Sequence, residues 1–229
     1  RKQMAPTIRL RHSAALMNHG SIAMALDLTL YTNPMSRGQI ARWMLEEVGE
    51  AYDTILLGYD DGSMKAADYR AINPMGKVPA IVHGGRVVTE CAAICAYLAD
   101  AFPDAGLAPP LDARDAYYRW LFFAAGPLEQ AITARKLAWE VPQERTRMVG
   151  FGTFEDTLNT VQQGLLGGPW LCGNHFTAAD LYLAAQLGWA MSEGVVPERP
   201  GFADFVATAF QRPAALRAKA FNDQYLTSA

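Results

Sequence analysis

The chain has 229 residues, 51% of them apolar, and a formal net charge of −3, which fits an ordinary globular protein with room for two modest domains or one large one. Lys and Arg are scattered among acids, which argues against nucleic acid as a partner, and no apolar run approaches the ~20 residues that a membrane span needs. Three cysteines outside any extracellular framework point to a reducing, cytoplasmic setting, and His12, His19, His83 and His175 show no metal-ligand spacing.

Residues 1–26 stand apart. Arg1, Lys2, Arg9 and Arg11 precede the first acid, Asp27, and Ser13 and Ser21 lie among them, a composition that resembles an organelle transit peptide. The favoured reading is a remnant or an upstream start, because Met24-Ala25 directly precedes the first recognisable strand. This extension is expected to be disordered or extraneous and is set outside the fold.

Asp27 to Thr32 alternates Leu28, Leu30 and Thr32 with other residues and reads as a short strand. Asn33-Pro34-Met35-Ser36 breaks it, with Ser36 as N-cap of a helix that carries Ile40, Trp43, Met44, Leu45 and Val48 and stops at Gly49. Tyr52 to Leu57 is a second strand, and Met64 to Ile72 a short helix ended by Asn73-Pro74, since the residue before proline is pushed out of the α region. Val78-Pro79 then heads an apolar strand to Val82, Gly84-Gly85 closes a hairpin, and Arg86-Val87-Val88 returns. Thr89 is the expected N-cap of a small-residue helix from Cys91 to Ala101.

Residues 103–110 are the linker, with Pro103, Pro109, Pro110 and Gly106 and no hydrophobic period. From 111 to 229 every long segment is helical in pattern. Leu111 to about Leu137 forms one helix or two, and Glu144 to Leu166 another. Phe176-Thr177-Ala178-Ala179-Asp180-Leu181 opens the next, with Thr177 and Asp180 as a capping box and Phe176 and Leu181 as a hydrophobic staple. Pro200 and Pro213 punctuate two closing helices.

The string Asn73-Pro74-Met75-Gly76-Lys77-Val78-Pro79, its hairpin and the Glu90-Cys91 pair resemble the N-terminal domain of the soluble glutathione S-transferases, and the Thr177-x-x-Asp180 helix start resembles their C-terminal domain. The resemblance runs from about Leu28 to Phe221 and is to the bacterial-like, serine-type members. It implies an α/β thioredoxin-like domain (βαβαββα) over 27–102, followed by an all-α domain over 111–229. It further implies a cis Val78-Pro79 bond, a Val78 backbone that pairs with the cysteinyl part of glutathione, and a Glu90-Cys91 pair that holds the γ-glutamyl end. Cys91 departs from the family's usual serine and offers a weaker thiol in place of the hydroxyl.

Glutathione attacks as its thiolate, and an unperturbed thiol with a pKa of about 8.5 is mostly protonated at neutral pH. Lowering that pKa by about two units stabilises the anion by roughly 2.7 kcal/mol, and the means are a hydrogen bond to sulfur and a helix N-terminus. Ser36 is the favoured donor, as in the serine-type members. Tyr31 at the end of the first strand is the rival, and Asn33 a distant third. The turn Asn33–Ser36 carries no thiol, so a mixed disulfide at this position is excluded, and Cys91 and Cys95 read as small buried hydrophobes. Arg37 and Lys77 are candidates to meet the carboxylates of glutathione. Tyr117, Trp120 and Phe123, with Trp139, are candidates for the apolar wall of a second-substrate pocket. The leading function is therefore detoxification-type conjugation of glutathione to a small apolar electrophile by a cytoplasmic homodimer, without a metal. The alternatives are a glutathione-dependent peroxidase, isomerase or lyase on the same scaffold, or a non-catalytic glutathione-binding or structural homologue.

Overall fold

A computed structural model of the chain describes residues 9–12 and 27–227. Two compact units divide it, residues 1–105 with 214–229 and residues 106–213, so the boundary falls inside the proline-rich linker.

The first unit is built on a mixed sheet of order β1-β3-β2-β4-β5. β2 (Leu28–Thr32) and β3 (Tyr52–Leu56) are parallel, as a strand–helix–strand crossover through α1 (Gly38–Val48) requires. α2 (Ala67–Ile72) follows, and then the antiparallel hairpin of β4 (Ala80–His83) and β5 (Arg86–Thr89). Its two-residue turn, Gly84-Gly85, has φ of +55° and +75°, the left-handed pair that matches strand twist. α3 (Cys91–Ala101) closes the unit. From β2 to α3 the order is the βαβαββα of a thioredoxin-like domain. Leu30, Ile81, Ile94 and Leu98 are fully buried, each contributing roughly 2 kcal/mol of apolar burial.

Several expectations need correction. Residues 1–26 do not lie wholly outside the fold: β1 (Arg9–His12) pairs antiparallel with β3, from Arg9 opposite Ile55 to His12 opposite Tyr52. With β2 on one side only, β3 leaves an edge whose N–H and C=O groups a further strand can satisfy. The rest of the extension lies outside the described residues. Thr89 does not cap α3, because it is still in β5; the N-cap position is Glu90, at φ +64° and ψ +118°, with no side-chain cap bond. Finally, the C-terminal helix α9 (Pro213–Thr227) groups with the first unit rather than with the helical one.

The reason for that last grouping is a buried charge on α1. Arg42 is wholly buried; its Nε donates to Asn222 of α9 at 3.1 Å and its Nη1 to the Tyr52 hydroxyl at 3.1 Å. Tyr52 donates in turn to Glu46 at 2.8 Å, and Arg217 of α9 donates to the other Glu46 oxygen at 3.0 Å and to the Glu46 carbonyl at 2.8 Å. A buried guanidinium needs acceptors, and α9 supplies one of them in the Asn222 carboxamide.

The second unit is helical. α4 (Asp115–Phe123) and α5 (Glu129–Lys136) are joined through a π turn, Ala124–Leu128, that contains Pro127. Proline has no N–H to give to the α ladder, and the wider turn accommodates it. The single helix expected over Glu144–Leu166 is two pieces, a 3₁₀ stretch Gln143–Met148 and α6 (Phe154–Leu165), separated where Gly152 turns at φ +61°. α7 (Ala178–Ser192) is apolar on nearly all sides and forms the core of the unit, with α8 (Phe202–Phe210) beside it. Its start is the expected capping box: Asp180 accepts from the Thr177 amide at 2.8 Å and from the Leu171 amide at 2.7 Å, tying the preceding loop down.

Replacing Glu46 by Ala is expected to cost about 1–3 kcal/mol in denaturant unfolding, because it removes the acceptor of the buried Tyr52 hydroxyl and the carboxylate that pairs with Arg217. The exposed Lys136–Glu193 pair at 2.7 Å serves as control, and Lys136→Ala should cost less than about 1 kcal/mol.

Candidate functional site

Sheet register gathers the candidate residues. Tyr31 stands opposite Ala80, and Ala80 opposite Thr89, in one row across β2, β4 and β5. One step beyond that row the chain continues into Thr32-Asn33, Val78-Pro79 and Glu90-Cys91, which therefore meet at one end of the sheet. The helices that begin there are α1 and α3. They touch directly, the Cys91 thiol lying 3.5 Å from the Arg37 carbonyl that accepts from it.

Two turns of the same design shape this end. Asn33-Pro34-Met35 and Asn73-Pro74-Met75 each begin with a buried asparagine. In both, the carboxamide oxygen accepts from the amide of the methionine two residues on, at 2.9 and 3.1 Å. In both, the carboxamide nitrogen donates to a backbone carbonyl at 2.8 Å: Leu57 for Asn33, Lys77 for Asn73. Asparagine is suited to this because one side chain donates and accepts at once. The sequence reading gave Asn33 only a remote chemical role and Asn73 none beyond stopping a helix. The repeated Asn-Pro-Met was the signal that could have revealed both.

Ser36 ends the first turn. Its hydroxyl donates to the Asn33 carbonyl at 2.7 Å and accepts from the Gly38 amide at 2.9 Å. The Asn33 carbonyl also receives the Ser36 amide at 3.1 Å, so it keeps a partner if the hydroxyl turns away. Gly38 is closely packed here: a Cβ would lie 1.9 Å from the Thr32 hydroxyl oxygen. Strand alternation then separates the two rival donors. Thr32 faces α1, whereas Tyr31 faces the other side, packing on the cluster of Ile55, Leu57, Met64, Tyr69 and Ala80 with its ring 5.5 Å from that of Tyr69.

The Val78-Pro79 peptide is cis. Val78 is half-buried against the same cluster, and Lys77 is exposed. Glu90 is also exposed, and its positive φ is strained for a residue with a Cβ, at a cost of order 1–3 kcal/mol. It turns β5 sharply into α3, whose first amides project at the Cys91 end with the partial positive charge of a helix start. Cys91 and Cys95 are buried thiols, and neither is in a disulfide. Arg37 is exposed at the start of α1.

The four aromatic candidates lie in the helical unit. Tyr117 and Trp120 are buried, and the Trp120 ring rests where a Cβ on Gly164 would sit, a packing role. Phe123 is half-buried, edge-on to Trp120 with centroids 5.5 Å apart, and Trp139 is exposed. Among the described residues no group of three or more His, Cys, Asp or Glu could hold a metal ion, and no helix is long and apolar enough to cross a membrane.

A thioredoxin-like unit whose cis-proline strand meets two helix starts, with a separate helical unit after it, defines the class of protein. Family comparison agrees: residues 35–101 match the model of the glutathione S-transferase N-terminal domain, and residues 102–218 that of the C-terminal domain. The chain belongs to the glutathione S-transferase family. It is 37% identical over 126 residues to glutathione S-transferase GstA of Escherichia coli O157:H7, a match that covers 54% of this chain and 62% of that protein. It is 32% identical over 143 residues to glutathione S-transferase GST-4.5 of Xanthomonas campestris, covering 59% of this chain and 70% of that one. Among solved structures, a glutathione transferase homologue from Sulfitobacter with bound glutathione superposes with a TM-score of 0.69 at 25% identity, over 86% of this chain and 99% of that one.

Gly38→Ala should lower stability by about 1–3 kcal/mol through overpacking, and adding Thr32→Ala should recover part of that loss; thermal unfolding of the single and double variants checks it.

Proposed function

We propose that the chain is a glutathione transferase of serine type, in which Ser36 activates the thiol of glutathione for attack on a small apolar electrophile. The observation that carries the reading is the Ser36 hydroxyl itself. It stands at the start of α1, polarised by the Gly38 amide, and its proton is held by a carbonyl that has a second donor. Turning that proton to a thiolate costs the turn little, and the hydroxyl and helix end both favour the anion. Tyr31 is the weaker candidate because its ring packs toward Tyr69 on the face away from α1.

Glutathione binding is supported by the family membership, by the glutathione in the Sulfitobacter homologue and by the shape of this sheet end. In this reading the cysteinyl backbone of glutathione pairs with Val78 beside Pro79. Glu90 takes the α-ammonium, the Cys91 amide the γ-glutamyl carboxylate, and Arg37 and Lys77 serve as charge partners. Of the four aromatic candidates for the electrophile, Phe123 and Trp139 are the accessible ones. The reading extends to a cytoplasmic homodimer, for which the exposed Tyr118 and Phe122 of α4 are candidate contacts. Peroxidase, isomerase or lyase chemistry would use the same thiolate.

Conjugation of chlorodinitrobenzene tests the assignment. Ser36→Ala should lower kcat/KM by about 10- to 100-fold and move the rate-determining thiol pKa upward by about one to two units, the worth of a hydrogen bond to the anion. Tyr31→Phe should remain within about threefold of wild type, there being no lost transition-state contact. The reverse ranking would assign the chemistry to Tyr31, and a wild type that neither binds glutathione nor conjugates it would remove the reading altogether.

A further inference from the structure

The segment that leads into Pro79 is held from one side by three side chains of the α2 region. Lys65 Nζ donates to the carbonyls of Met75 at 3.0 Å and Gly76 at 2.9 Å. The next carbonyl, that of Lys77, accepts from the Tyr69 hydroxyl at 2.6 Å and from the Asn73 carboxamide at 2.8 Å. Three successive carbonyls are thus drawn toward α2. In a planar trans peptide the C=O of one residue and the N–H of the next point in opposite directions. The carbonyl of Gly76 therefore sends the Lys77 amide away from α2, and that of Lys77 does the same for Val78.

We propose that Lys65, Tyr69 and Asn73 are positioning residues for the thiol substrate, a clasp that turns the Lys77 and Val78 amides outward to meet the bound tripeptide. The inference rests on the glutathione reading above and assigns it machinery outside the contact residues. Two further features fit it. Gly76, at φ +58°, lets the backbone come so close to the Met64–Lys65 turn that a Cβ would meet the Met64 carbonyl at 2.5 Å. The Tyr69 ring is buried in the same cluster that packs Val78, so its hydroxyl is carried on a fixed arm. Burial also pushes the Tyr69 phenol up to about 12, which keeps it a donor at any pH the protein meets.

The clasp touches neither the sulfur nor the electrophile, so its loss should weaken glutathione binding without slowing the chemical step. Tyr69→Phe keeps the ring and removes one donor; Lys65→Met removes another at an exposed site. In calorimetric titration and conjugation kinetics, each should raise the glutathione Kd and KM by roughly five- to tenfold, the loss expected for a hydrogen bond to an ordered carbonyl. The kcat and the KM for chlorodinitrobenzene should stay within about twofold, and Lys65→Arg, which can still donate, should restore wild-type affinity. Variants that bind glutathione as wild type does, or that lose kcat and melting temperature together with no separate effect on glutathione KM, overturn the inference while leaving the function intact. A wild type that binds no glutathione overturns both.

Discussion

Two buried carboxamides hold the end of the sheet where everything else converges. Asn33 closes the turn that brings Ser36 to the start of α1, and Asn73 closes the turn that brings Val78 and Pro79 to the head of β4. Each side chain satisfies a donor and an acceptor of irregular backbone that would otherwise be buried without partners. Because β2 and β4 are hydrogen-bonded neighbours, fixing the two turns also fixes the distance between the hydroxyl and the cis-proline strand. A sheet end made this way is set by backbone geometry.

Around that end the molecule uses its polar groups in two manners. Lys65, Tyr69 and the asparagines bind main-chain atoms and fix loops. Arg42, Glu46, Tyr52, Asn222 and Arg217 bind one another and tie the C-terminal helix to α1. The helix that carries Ser36 and Arg37 at its start is thereby anchored by a buried charge further along. The buried charges of α1 and the proposed donor Ser36 are different residues, so stability and the proposed chemistry can be probed separately.

Much of the fold was legible because its signals are local. Alternation in Leu28–Thr32, the Gly84-Gly85 turn and the Thr177–Asp180 capping box each depend on residues adjacent in sequence. Signals that depend on distant partners were not readable. Arg9–His12 becomes a strand only because β3 offers an edge, and α9 joins the first unit only because Arg42 and Glu46 lie beneath it. Thr89 illustrates a competition: its capping propensity was real, yet pairing in β5 claims the residue and the positive φ of Glu90 makes the turn instead. At the site, the separation of Tyr31 from Ser36 by strand alternation could be framed from sequence, but its outcome required the packing of Tyr31 on Tyr69.

In the proposed reading this end of the sheet grips a thiol tripeptide with its sulfur beside Ser36. The most direct measurement is a crystal structure of the protein soaked with glutathione. The cysteinyl backbone should be paired with Val78 and the sulfur should lie within ~3.5 Å of the Ser36 hydroxyl. A sulfur lying beside the Tyr31 phenol, or a tripeptide bound away from Pro79, would contradict it.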